Sequence, residues 1–187
     1  YKIWKNKMKI LLILLISLYL YGNTKQNMFN LYQNKKYKDV CNIGFSNYSK
    51  YNKDEEYVSL YAFACLKSDY IDRLSTPIAM LKFSSEARSN AAYFSVILMQ
   101  KKLLYHALVD GYNISTLNLP TTDYVLSKVF DFYSKLGEHE QRLFYLFEDE
   151  NDPKLTYKLY LSKGTRIDKM IIEEFYDSVT INRHVYW

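Results

Sequence analysis

Residues 155–163 read LTYKLYLSK. Leu155, Tyr157, Leu159 and Leu161 alternate with Thr156, Lys158 and Tyr160, the two-residue period of a strand with one buried face. Upstream, Asn151-Asp152-Pro153 is a turn signal, and Gln141–Asp149 before it reads as another strand. Downstream, Gly164-Thr165 turns the chain into Lys169–Tyr176 and then Thr180–Tyr186. Lys169–Tyr176 is ambiguous, because Ile167, Ile171 and Phe175 also fit a helical period. Residues 139–187 are expected to form a small antiparallel β-meander.

Ahead of this region the period is helical. Met28–Gln33 and Lys36–Tyr51 are predicted helices, the second carrying Tyr37, Val40, Cys41, Gly44 or Phe45, and Tyr48 at three-to-four spacing. Asn52-Lys53-Asp54 is a turn, and Asp54-Glu55-Glu56 places acids at the start of a helix running to Leu66. Asp69 is expected to cap a short helix through Leu74, with Asp72 supporting its first turn. Ser84-Ser85-Glu86 opens the longest helix, Glu86–Val109. Its faces Ala87-Ala91-Phe94-Leu98 and Ala92-Val96-Met99-Leu103 predict burial from two sides. Asp110-Gly111 ends it, and a last helix is expected from Pro120 to about Leu136, stopped by Gly137. The class is therefore α+β, with helices over 26–137 followed by the meander.

Residues 1–22 stand apart. Lys5, Lys7 and Lys9 precede an apolar run, Ile10–Tyr21, broken only by Ser17. That is the form of a signal peptide starting at Met8, shorter than the ~20 residues of a membrane span. Gly22 suits a cleavage site and Leu20 does not, which leaves an uncleaved inner-membrane anchor as the alternative. Cys41 is too far downstream for lipid attachment at that point.

The formal charge is +5, but four of the 25 basic residues (Lys2, Lys5, Lys7 and Lys9) lie in residues 1–22. The remainder sets 21 basic against 20 acidic residues, which removes the electrostatic case for a nucleic-acid partner. Lys101-Lys102 and the KKYK run at 35–38 read as solvated helix faces. Twenty tyrosines point either to an aromatic contact surface or to an AT-rich genome.

The search for chemistry yields no motif. His139-Glu140 begins like a zinc-protease helix, but position 143 is Leu, so the second ligand is missing. His106, His139, His184 and the two cysteines lack metal-ligand spacing, so no metal and no cofactor is expected. Asp69, Asp72 and Arg73 form the densest charged cluster, read as structural rather than catalytic. Cys41 and Cys65 lie equidistant from the Asn52–Asp54 turn, so an antiparallel hairpin folded there brings them level. They form a disulfide or stay as two packed thiols. Arg183, Tyr186 and Trp187 either dock into a partner or close the sheet on the helices.

Three segments align at intervals of 33 and 34 residues: QNKKYKDV (33–40), LKSDYIDR (66–73) and QKKLLYHA (100–107), matching Tyr37, Tyr70 and Leu104. The small residue expected three positions on is met by Ala107, tolerated at Val40 and contradicted by Arg73. The spacing resembles the tetratricopeptide repeat. That resemblance, over residues 28–110, implies stacked antiparallel helical hairpins with a protein-binding concave face. The layout is similar to that of exported bacterial proteins with such a body. The expected function is an exported, periplasmic interaction or assembly protein of the cell envelope, not an enzyme. It would serve protein partners, within a machine such as a motor or secretion complex, and meet the membrane only through an uncleaved signal segment. The alternative is an envelope enzyme whose site only the fold assembles.

Overall fold

A computed structural model describes residues 24–187; the signal segment expected over residues 1–22 lies outside the described residues. The class is α+β: seven α-helices among the described residues precede a four-stranded antiparallel sheet. The chain divides into two compact units, one ending at Ser68 and the other Asp69–Trp187.

In the first unit, α1 covers residues 24–33 and is followed by α2 (Tyr37–Ser46), α3 (Tyr48–Tyr51) and α4 (Glu55–Leu66). The single helix predicted over Lys36–Tyr51 is split at Asn47, whose amide side chain donates to the Ile43 carbonyl at 2.9 Å. An asparagine that satisfies the backbone this way competes with helix continuation. Asp54 caps α4 by accepting from the Tyr57 amide at 3.1 Å, and Glu55 and Glu56 sit where the helix dipole favours acids. α2 and α4 pack antiparallel along buried Val40, Cys41, Tyr57, Tyr61 and Cys65. At Gly44 there is no room for a side chain, because the Tyr61 side chain occupies that space.

The second unit begins with a 3-10 helix (Ile71–Leu74), then α5 (Ser75–Met80), α6 (Ser85–Asp110) and α7 (Val125–Ser134). Ser84 caps α6 through the Ala87 amide, and Gly111 ends it in the left-handed conformation at φ 70°. Met99 is half exposed and Ala92 exposed, so the expected second apolar face of α6 is not buried. The buried line is Phe94, Ile97, Lys101, Leu104 and Leu108, with spacings of three and four. α7 starts five residues after Pro120, because Thr122 donates its amide to the Ser127 hydroxyl and Tyr124 is extended. It ends at Ser134, short of Gly137.

The strands are β1 (Phe144–Glu148), β2 (Leu155–Ser162), β3 (Lys169–Tyr176) and β4 (Val179–Tyr186), in the order β1-β2-β3-β4. β1 begins later than expected, because Gln141 instead donates its side-chain amide to the Leu108 carbonyl at the end of α6. Register sets Tyr145 beside Leu159, Leu159 beside Ile172 and Ile172 beside His184 on the inner face. That face cannot be left in water, and α6 and α7 cover it: the Tyr133 and Tyr145 rings lie 5.0 Å apart and those of Phe132 and Phe147 5.7 Å. This is why the division into compact units falls at 68/69, and why α5–α7 share a unit with the meander rather than with the earlier helices.

Candidate functional site

The inner face of the sheet turns polar at one end. Glu174 on β3 and Asn182 and His184 on β4 occupy positions that apolar residues hold elsewhere on that face. Charge placed there must be paired, and the pairing comes from the start of the unit. Asp69 adopts a left-handed backbone, φ 62°, which its short polar side chain tolerates. His184 Nδ1 donates to Asp69 Oδ1 at 2.8 Å, and Nε2 donates to Glu174 Oε1 at 2.9 Å. Asn182 also donates to Glu174 Oε1, and the Tyr124 hydroxyl donates to Asp69 Oδ1 at 3.0 Å. Tyr186, completely buried, reaches the Tyr124 hydroxyl at 3.2 Å.

The electrostatics follow from this geometry. Burial opposes a charge on His184, but the Asp69 and Glu174 carboxylates outweigh it and lift the pKa to about 9. The hydrogen bond from His184 lowers the Glu174 pKa against the effect of burial. Burial and the Asp69 charge push the Tyr124 phenol well up. At neutral pH the imidazole is therefore a cation with both nitrogens donating, held between two anions.

Beside this cluster lies a cavity of about 220 Å³ lined by Asp69, Asp72, Arg73, Lys101, Tyr186 and Trp187. Lys101 is only 2 % exposed. Its ammonium donates to Asp72 at 2.9 Å and to the backbone oxygen of Trp187. Burial depresses the Lys101 pKa, with Asp72 acting against it. Lys102, on the neighbouring turn face, meets the other Asp72 oxygen at 2.7 Å, and the two lysines hold the Asp72 pKa down.

A second polar cluster adjoins the first on the same face, where Tyr157 of β2 is the register partner of Glu174. Asp149 is buried and accepts from the Tyr157 hydroxyl at 2.7 Å, the Lys128 ammonium at 3.0 Å and the Asn151 amide at 3.0 Å. These donors overcome its burial and bring its pKa down to about 2.

Several expectations change. Asp69 does not cap a helix: Tyr70 holds that position without a side-chain cap, and the Asp69 carboxylate is turned to His184 and Tyr124. Lys101 is not on a solvated face. Arg183 stays at the surface, 3.4 Å from Glu173, and Trp187 is 46 % exposed, but Tyr186 points inward and presents nothing to a partner. The three histidines have separate surroundings. His106 pairs with Asp110 at 2.8 Å in solvent, and His139 is held by the Gly137 carbonyl and the Tyr145 hydroxyl. Among the described residues no group of three or more His, Cys, Asp or Glu is arranged to hold a metal ion. Cys41 and Cys65 are joined in a disulfide, their Cα atoms 4.8 Å apart. Of the positions carrying the 33–34-residue spacing, Tyr37 opens α2, Tyr70 precedes the 3-10 helix and Leu104 is buried within α6.

No sequence pattern marks Glu174, Tyr124 or Asp149 as members of these clusters. The only signal was Glu173-Glu174 interrupting the apolar run Met170-Ile171-Ile172. No protein-family model, no curated protein and no solved structure matches this chain.

Proposed function

We propose that this chain is an exported interaction protein of the bacterial cell envelope, an assembly component rather than an enzyme, working within a larger envelope machine. The observation that carries this reading is the buried Cys41–Cys65 bridge, because such bonds persist in oxidising compartments and are rare where thiols are kept reduced. It agrees with the basic and apolar pattern of residues 5–21. The Asp69–His184–Glu174 cluster supports a structural role: an imidazolium donating from both nitrogens has no lone pair with which to act as a base. The cavity walled by Asp72, Arg73 and Lys101 favours a second reading, an envelope enzyme or small-ligand binder.

A reporter enzyme that works only outside the cytoplasm, fused after about residue 30, tests export. An active reporter, with in-cell cross-linking that joins the tagged chain to an envelope protein, is the expected result. A silent reporter defeats the export reading. A ligand that binds the wild-type chain and is lost in Lys101→Met favours the second reading.

A further inference from the structure

The cavity of about 220 Å³ beside the His184 cluster lies wholly within the C-terminal unit. Its wall has two parts. Tyr70, Ile71 and Trp187 supply aromatic and apolar surface, and Asp72, Arg73 and Lys101 supply charge. Apolar walls with a few convergent polar groups are the ordinary make-up of a small-molecule site.

The unusual group is Lys101. Its side chain is 2 % exposed, and an ammonium withdrawn from water is costly unless it is fully paired. Its ion pair with Asp72 does not call for that burial, because Lys102 reaches the other Asp72 oxygen from the surface, at 60 % exposure. Two of the three Lys101 donors go to Asp72 and to the backbone oxygen of Trp187. Among the described residues the third meets no hydrogen-bond acceptor. A buried donor left over in a cavity wall is satisfied by an acceptor from outside.

The surrounding charge says which kind of acceptor. The cations Arg73, Lys101, Lys102 and His184 stand against the carboxylates of Asp69, Asp72 and Glu174, so the neighbourhood keeps a positive charge. The carboxylates are already engaged, Asp72 by both lysines and Asp69 and Glu174 by His184. Arg73 is steadied by the Tyr70 ring, whose centre lies 4.7 Å from the guanidinium carbon.

We propose that this cavity binds a small carboxylate with a compact apolar body. The carboxylate accepts from Lys101 and Arg73, and the body packs against Tyr70, Ile71 and Trp187. The volume falls below the roughly 300 Å³ of drug-sized sites and admits a ligand of about ten non-hydrogen atoms. This gives the small-ligand reading its ligand class and rests on that reading; it does not depend on export.

Phenylacetate has that size and is the probe. Proton–nitrogen NMR on the full chain reads the indole N–H of Trp187, assigned by its loss in Trp187→Phe. Phenylacetate should shift that signal with a Kd of about 1 mM. Phenylacetamide, its neutral isostere, and acetate, which lacks the apolar body, should each bind at least about tenfold more weakly. Lys101→Met should weaken phenylacetate at least about tenfold, and Arg73→Gln several-fold. Lys102→Gln removes the same charge from outside the cavity wall and should change the Kd by less than about threefold. Arg73→Gln leaves the buried ion pair in place, so the test stands even if Lys101→Met does not fold. Phenylacetamide or acetate binding as tightly as phenylacetate overturns the ligand class while keeping the cavity as a small-ligand site. No shift with any of the three at about 20 mM overturns both the class and the small-ligand reading. Phenylacetate affinity unchanged in Arg73→Gln, or weakened as much in Lys102→Gln, also overturns the proposal.

Discussion

Asp69 Oδ1 and His184 Nδ1 stand 2.8 Å apart although 115 positions separate them in the chain. Asp69 opens the C-terminal unit and His184 belongs to its last strand. Their contact, with Glu174 on the other imidazole nitrogen, binds the two ends of that unit through one charge-assisted network.

The network makes stability depend on alkali. The His184 pKa is raised from 6.5 to about 9 on folding. A raised folded-state value contributes stability that is complete below the unfolded value and is lost as pH rises through the folded one. Urea unfolding of the C-terminal unit should therefore show a loss on the order of 2–3 kcal/mol between about pH 6 and pH 9.5. His184→Gln should flatten that slope and lower stability at pH 6. An unchanged slope in the variant would place the titration elsewhere.

The bridge between Cys41 and Cys65 closes a loop of 24 residues, for which the chain-entropy model gives about 3 kcal/mol. Both sulfurs are buried, so denaturation should be needed before a thiol reagent or reductant reaches them. Thiol titration of the denatured, unreduced chain should find no free thiol. Reduction should lower the melting temperature of the N-terminal unit while the C-terminal unit melts unchanged. Two titratable thiols per chain would refute the bridge.

Gly44→Ala should damage the same seam from a different direction. A Cβ there would lie 2.7 Å from Tyr61 Cβ and closer still to its ring, and neither helix can yield without moving the other. Overpacking of this kind costs about 1–3 kcal/mol. Chemical denaturation should show that loss in the N-terminal unit, and Tyr61→Ala added to Gly44→Ala should recover part of it. A neutral Gly44→Ala would show that α2 and α4 separate easily.

The outline of the fold was legible because its signals are local. Leu155–Leu161 alternates, and the Asn151-Asp152-Pro153 turn lies between two strands as expected. β3 was ambiguous for a physical reason: Met170, Ile171 and Ile172 are all buried, so the strand shows a continuous apolar run instead of an alternation. The polar cluster was much harder to see. Nothing within a few residues of Asp69 reveals that its backbone turns left-handed or that its partner is on β4. Lys101 could have been suspected, since it interrupts a series, Phe94, Ile97, Leu104, Leu108, in which every other member is apolar.

The distance in sequence between Asp69 and His184 also orders events in time. The seam of the N-terminal unit joins residues 24 positions apart, so it can close while the chain is still being made. The C-terminal unit has no such freedom. Its first turn carries an acid whose cation lies on the last strand, and the inner row from Tyr145 to His184 is complete only when β4 arrives. Until then the apolar sheet face and the β1 edge are both open, and that waiting period is when the chain is most exposed to aggregation.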